Sequence, residues 1–151
     1  MMTSMDSIDA RLMALLQEDC TLPYHELGRR VGLSVTAVRA RLAKLRGRGD
    51  IRAYTALVRP ESLGFQVCAF VLLTVVGSKG DQAFTSAVLD LSEVEECHRI
   101  ASEFSYLLKV RARDLRHLDK FVREDLKAQP AVRDVQTMVV LGSIRDKAAG
   151  I

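Results

Sequence analysis

Two short apolar stripes separated by a glycine constrain this chain more than any other feature. Leu27 and Val31 lie four apart, Gly32 follows at once, and Val38, Leu42 and Leu45 then recur at i, i+4 and i+7. This spacing predicts two helices, each burying one stripe. Between them Gly32 to Ser34 reads as the turn. Gly32 supplies the permissive backbone of a tight turn, and Ser34 is a good N-cap for the helix that follows. Leu27, Val31, Leu33, Val38 and Leu42 can share one small core. Two helices joined in this way form a helix-turn-helix. The outward face of the second helix carries Thr36, Arg39, Ala40, Ala43 and Lys44. Small residues at its centre let a helix sit deep in the DNA major groove, and basic residues on its flanks reach phosphates or guanine edges. Ser34 and the free amides at the helix start suit a phosphate. The expected partner is double-stranded DNA, and the expected contacts are Ser34, Thr36, Ala37, Arg39, Ala40, Arg41 and Lys44. The bland alternative is a helix pair that packs and binds nothing.

Charge favours the DNA reading. The net charge of +3 is unremarkable until it is divided along the 151 residues. Residues 1–52 hold nine Lys/Arg and six Asp/Glu, and the remainder holds thirteen of each. Arg39 to Arg52 carries Arg39, Arg41, Lys44, Arg46, Arg48 and Arg52 against Asp50 alone. A local surplus of this kind attracts a polyanion.

Upstream, Asp6 or Ser7 can cap a first helix with Ile8, Leu12, Leu15 and Leu16 at helical spacing. Downstream, Ile51 to Val58 alternates loosely and reads as a strand or wing after a turn at Arg48 to Asp50. Arg59 to Gly64 reads as a linker. The texture then changes. Val67 to Val76 is a dense β-branched and aromatic run, hence a buried strand. Gly77 to Asp81 reads as a turn and Gln82 to Leu91 as a helix with Phe84, Val88 and Leu91 on one face. Val94 to Ala101 and Tyr106 to Ala112 read as strands around a polar turn, Ser102 to Ser105. Asp114 caps a helix in which Leu115, Leu118, Phe121, Val122 and Leu126 are apolar, Gln129-Pro130 ends it, and Val132 to Leu141 is the last strand. The expected fold class is α+β: an N-terminal winged helix-turn-helix followed by a ferredoxin-like β-α-β-β-α-β domain. The expected boundaries are 1–52 for the DNA-binding domain, 53–64 for strand and linker, 65–142 for the second domain and 143–151 for a weakly patterned tail.

Other classes find little support. No apolar run reaches the roughly 18 residues of a membrane span, and the polar, acidic start Met1 to Asp9 lacks the order of a signal peptide. No membrane association and a cytoplasmic location are expected. Cys20, Cys68 and Cys97 form no disulfide framework and no metal-ligand pattern. Cys97 and His98 would face opposite sides of a strand. No metal and no cofactor are expected. There is no phosphate-cradling glycine loop, no nucleophile elbow and no paired acid and base at a fixed spacing, so no catalytic residue is assigned.

Several stretches together carry a resemblance. Ile8-Asp9 opens the first helix, Glu26-Leu27 leads into Val31-Gly32-Leu33-Ser34, and Ile51 to Leu57 follows the recognition helix. Glu96-Cys97-His98 and Phe104 to Val110 complete the set. In order and spacing, from Ile8 to about Leu141, the chain resembles the Lrp/AsnC family of bacterial and archaeal regulators. The resemblance implies an ACT-like domain from about residue 65 that binds an effector and assembles the protein. It implies a homodimer formed through the sheet, and dimers associating into octamers. It also implies an amino-acid effector held at the turn between the second and third strands, where a neighbouring dimer meets it. On that basis the expected effector residues are Ser102, Glu103, Ser105, Tyr106, Gln136 and Thr137. Here the chain departs from the family pattern. Ser102 stands where a glycine is usual, and Ser105 where an aspartate is common. A serine offers a ligand's ammonium only a neutral hydrogen bond, roughly half as strong as a charged one. Ser102 adds a side chain where backbone amides would face the ligand's carboxylate.

The leading expectation is a sequence-specific DNA-binding transcription regulator modulated by an amino acid or related small molecule. Two alternatives stand beside it. One is a nucleoid-type protein that organises DNA with little sequence preference. The other is an ACT-like regulatory subunit of a biosynthetic enzyme.

Overall fold

A computed structural model describes residues 6–144. The expected tail, 143–151, lies outside the described residues from position 145 onward, as does the start of the acidic segment, residues 1–5. The chain divides into two compact units with the boundary between Leu57 and Val58.

The first unit is three helices, α1 (Ser7–Glu18), α2 (Tyr24–Val31) and α3 (Val35–Gly47). The Asp6 carboxylate caps α1 by accepting from the Ile8 amide at 3.1 Å. Leu12, Leu27, Val31, Val38, Leu42 and Leu45 are buried together, and Ile8, Leu15, Leu16, Leu33 and Ile51 pack around them. The expected turn is observed. Gly32 closes α2 with φ 72°, and the Ser34 hydroxyl caps α3 by accepting from the Ala37 amide at 3.2 Å. The tight approach between helix and turn belongs to another glycine. A Cβ at Gly28 would lie 2.4 Å from the Leu33 carbonyl oxygen, whereas one at Gly32 would meet nothing within 4 Å. The Gly28 carbonyl also accepts from the Leu33 amide at 2.9 Å, so α2 and the turn are bonded where they are closest. On the outer side of α2, Glu26 holds Arg29 and Arg30. The Arg29 hydrogen bond, then that of Arg30, lowers its carboxyl to about 2.

The expected strand at Ile51 to Val58 is not formed. Residues 52–58 make no ladder in this chain and are exposed throughout. A strand exists only by hydrogen bonding to a neighbour, and the loose alternation here has none within the chain. The wing of the expected winged helix-turn-helix is therefore absent among the described residues, while the helix-turn-helix itself stands. Within the expected linker, Pro60–Leu63 winds into a single 3-10 turn.

The second unit runs β1 (Val67–Val75), α4 (Ser78–Val88), β2 (Val94–Arg99), β3 (Tyr106–Ala112), α5 (Leu115–Phe121) and β4 (Val132–Val139). A π-helical turn, Val122–Leu126, continues α5. The sheet order is β2-β3-β1-β4, with antiparallel neighbours. This is the ferredoxin-like plan that the pattern predicted. Alternation fixes the register: Ala69, Val71 and Leu73 on β1 and Tyr106, Leu108, Val110 and Ala112 on β3 are buried. They pack with Phe84, Val88, Leu118, Phe121 and Leu126 from the helices. Phe70, Leu72 and Leu107, alternating with these, lie on the opposite face and are half-buried.

Two expectations shift. α4 starts at Ser78 rather than Gln82. Its N-cap, Gly77 at φ 77°, provides no side-chain bond, so no cap residue announced it. Gly80, within the stretch expected as a turn, packs against Ala131, where a Cβ would come within 2.5 Å. Leu115, one of the apolar residues expected in α5, is 61% exposed.

Replacing Gly28 with alanine should destabilise the protein by about 1–3 kcal/mol, because the clash is with backbone and cannot swing aside. Gly47→Ala, in open space near the end of α3, should be neutral or slightly stabilising. Urea denaturation of the two variants measures the contrast.

Candidate functional site

α3 presents three surfaces. Val38, Leu42 and Leu45 face the core. Thr36, Ala40, Ala43 and Lys44 are exposed on the opposite side, and Ala37 is half-buried at its margin. Ser34 sits at the helix start with its hydroxyl committed to the cap. The structure thus gathers Thr36, Ala40 and Lys44 on one outward face, with Arg39 exposed at its edge. Ala and Thr at the centre keep that face low, and Lys44 supplies charge.

The four arginines of α3 and its C-terminal end divide into two kinds. Arg41 and Arg48 turn toward α1. Arg41 donates to Asp6 at 2.7 Å and to Asp9 at 2.8 Å. Arg48 donates to Asp50 at 2.7 Å and reaches Asp9 at 3.3 Å. Asp9 is the one charged residue among the buried described positions, at 7% exposure. Arg41, expected as a DNA contact, joins α1 to α3 through its guanidinium, and its charge is already answered. Its pKa is raised, first by Asp9 and then by Asp6. Arg39 and Arg46 turn the other way. Arg39 lies over the Tyr24 ring at 5.9 Å, and Arg46 over the Tyr54 ring at 6.0 Å. Partial burial, then the neighbouring Tyr24 phenol, pushes the Tyr54 hydroxyl above its usual range, against the pull of Arg46.

In the second unit the expected effector turn is largely bonded to itself. The Ser102 hydroxyl accepts from the Phe104 amide at 3.1 Å and donates to the Phe104 carbonyl at 3.2 Å. The Ser105 hydroxyl accepts from the Val75 amide at 3.3 Å, and the Ser105 amide donates to the Leu73 carbonyl at 2.9 Å. Glu103 is exposed, and its carboxylate makes no hydrogen bond or ion pair among the described residues. Tyr106 is 2% exposed. Its hydroxyl donates to Asp81 at 2.6 Å and accepts from Arg99 at 2.8 Å, while Arg99 also donates to Asp81. The Tyr106 hydrogen bond, then Arg99, lowers the Asp81 carboxyl. Asp81 and Arg99 were missed in the sequence. They belong to α4 and the end of β2, and only folding brings them to Tyr106. Gln136 pairs with Leu72 and Thr137 with Val71. The two therefore point to opposite faces of β4, and a single pocket within this chain cannot use both.

Two open surface depressions lie away from this turn. One, of about 460 Å³, is lined by Glu93, Arg113, Asp114, Arg116, His117 and Lys120. The other, of about 570 Å³, is lined by Arg59, Glu61 and Ser62. Among the described residues no group of His, Cys, Asp or Glu is placed to hold a metal ion. No described helix is long and apolar enough to cross a membrane.

A capped helix-turn-helix with a low, basic outer face, followed by a ferredoxin-like unit with a polar turn between its middle strands, defines a DNA-binding regulator with a ligand-binding domain. Comparison with known proteins gives the family. Residues 5–46 match the AsnC-type helix-turn-helix domain and residues 68–149 the Lrp/AsnC ligand binding domain. The chain belongs to the Lrp/AsnC family of transcription regulators. It is 37% identical over 144 residues to the proline dehydrogenase transcriptional activator of Rhizobium radiobacter, covering 94% of this chain and 92% of that protein. It is 37% identical over 143 residues to the leucine-responsive regulatory protein of Klebsiella pneumoniae, covering 93% and 87%. A transcriptional regulator of Neisseria meningitidis solved in complex with L-methionine superposes with a TM-score of 0.90 at 30% identity, covering 95% of this chain and 94% of that one.

Proposed function

We propose that this regulator reads DNA with Ser34, Thr36, Ala37, Arg39, Ala40 and Lys44, and that it works as a homodimer, assembled further into octamers, whose DNA binding responds to an amino acid. The observation that carries the DNA face is the sorting of charge on α3. Lys44 and Arg39 have no carboxylate partner among the described residues, whereas Arg41 is bound by two. A polyanion is drawn to charge that the protein has not already neutralised. Two reading helices in a dimer fit a near-palindromic site with half-sites about one helical turn apart. Preference for such a site over bulk DNA at fixed salt separates this reading from a nucleoid-type protein.

The test is an electrophoretic titration of the full chain over a range of salt. Arg39→Ala with Lys44→Ala should flatten the log–log salt slope by about 1.8, since each phosphate bound contributes roughly 0.9. Arg41→Ala should leave that slope in place while lowering the melting temperature, because it strips a partner from the buried Asp9 carboxylate. An unchanged slope in the double variant refutes the contact face.

The assembly reading rests on the sheet face that α4 and α5 leave uncovered. It carries the half-buried Phe70, Leu72 and Leu107, with Met138 41% exposed. Pairing this face with that of a second copy removes apolar surface from water. Phe70→Asp should shift the protein toward monomer in analytical ultracentrifugation. An unaltered distribution places the interface elsewhere.

The effector reading rests on Glu103, the uncommitted carboxylate of the turn, as the partner of a ligand ammonium, with a second copy closing the site. The relative from Neisseria was solved with L-methionine. In this chain Ser105 cannot supply a charge, so affinity is expected to be weak. Ser105→Asp should lower the amino-acid concentration needed for half of the thermal shift by about five- to tenfold, the difference between a neutral and a charge-assisted hydrogen bond. No shift with leucine, methionine or other common amino acids in either protein would leave the second unit an assembly domain only.

A further inference from the structure

The split among the α3 arginines points to three residues outside the expected contact set. Arg39 and Arg46 are seven apart, as are Arg41 and Arg48, so each pair occupies one flank of the helix. On the α1 flank, the carboxylates of Asp6, Asp9 and Asp50 take up both guanidinium donors and charge. On the other flank no carboxylate lies within ion-pair distance of Arg39 or Arg46 among the described residues. Instead each guanidinium rests over a tyrosine ring, Tyr24 at the start of α2 and Tyr54 beyond the end of α3. Both rings are partly exposed, at 47% and 44%.

The two kinds of partner have opposite consequences for a polyanion. A carboxylate orients an arginine but cancels its charge and occupies its N–H groups. A ring face orients the guanidinium and leaves both the charge and the N–H donors available. Holding a long side chain in place beforehand also reduces the rotamer entropy that binding costs. Tyr24 and Tyr54 supply that restraint on the flank where the charge stays free.

We propose that Tyr24 and Tyr54 are positioning residues that present Arg39 and Arg46 to the DNA backbone, and that Arg46 is itself a DNA-contact residue. Tyr54 belongs to the exposed segment after α3 that forms no strand, so its ring also ties that segment to the reading helix. The proposal rests on α3 being the DNA face.

The experiment uses the full chain and a duplex selected by the protein from a random-sequence pool, with affinity measured across a salt series. Arg46→Ala should reduce the log–log salt slope by about 0.9, the share of a single bound phosphate. Tyr24→Ala and Tyr54→Ala should each weaken binding about two- to fivefold, the size of an exposed cation–π contact, with the slope unchanged because the arginine is still present. Tyr24→Phe and Tyr54→Phe should restore binding. Tyr24→Leu and Tyr54→Leu, which keep apolar bulk without a ring face, should not. Thermal melts separate these effects from unfolding, and the leucine and phenylalanine pairs are read only at matched stability. Wild-type binding by the leucine variants would show that bulk alone suffices. Weakened binding with phenylalanine would show that the phenol touches the DNA directly. Either result overturns the positioning role. An unchanged slope for Arg46→Ala overturns its contact role. If Arg39→Ala with Lys44→Ala also leaves the slope intact, α3 is not the DNA face, and both readings fall together.

Discussion

The contact between Gly28 and the Leu33 carbonyl governs the geometry of the reading head. A side chain at position 28 would occupy the space of a backbone oxygen, so only glycine lets α2 come down onto the turn. That approach sets where α3 begins, and the Ser34 cap fixes its first turn. Once α3 is placed, Val38, Leu42 and Leu45 close onto Leu12, Leu27 and Val31, and the opposite face is turned outward. The buried Asp9 adds a polar constraint. A nearly buried carboxylate is costly unless it is paired, and its partners Arg41 and Arg48 both come from the α3 end of the unit. Packing and ion pairing therefore agree on one orientation of α1 against α3.

Much of this was legible in the sequence because it is local. The turn at Gly32 to Ser34, the stripe on α3 and the strands β1 and β3 follow from spacings of two to seven residues. What escaped was set by partners distant along the chain. The charge of Arg41 is visible in the sequence, while its pairing with Asp6, 35 positions away, is not. Asp81 read as part of a turn, although it lies 25 residues from the tyrosine that it binds. The start of α4 was missed for a local reason. Its cap is a glycine with no side-chain bond, and Gly80 serves packing against Ala131 rather than ending a helix. The strand expected at Ile51 to Val58 failed for a third reason. Alternation describes a strand's faces but does not provide the neighbour that completes its hydrogen bonds.

The two units differ in how much of their polar chemistry remains open. At the turn between β2 and β3, both serines are engaged with backbone groups, and Tyr106 is held between Asp81 and Arg99. This network stiffens the turn without any ligand. A ligand arriving there meets satisfied hydroxyls and one free carboxylate, Glu103. Binding that displaces satisfied bonds gains little, since each bond broken offsets one formed. In this chain Ser102 and Ser105 thus make the turn a closed local structure.

The reading head shows the contrary arrangement, and the contrast bears on how the protein divides its tasks. Its arginines include two committed to carboxylates and two held on aromatic faces with their charge intact. A uniformly free set would repel itself and fold less well, and a uniformly paired set would offer nothing to a phosphate. Dividing them by flank gives one side of α3 to the fold and leaves the charge of the other unpaired, at a spacing that the helix repeat imposes. The basic surplus of residues 39–52 is therefore not one property but two. Part of it answers the acidic residues at the start of α1 and the end of the head, and the remainder has no carboxylate partner among the described residues.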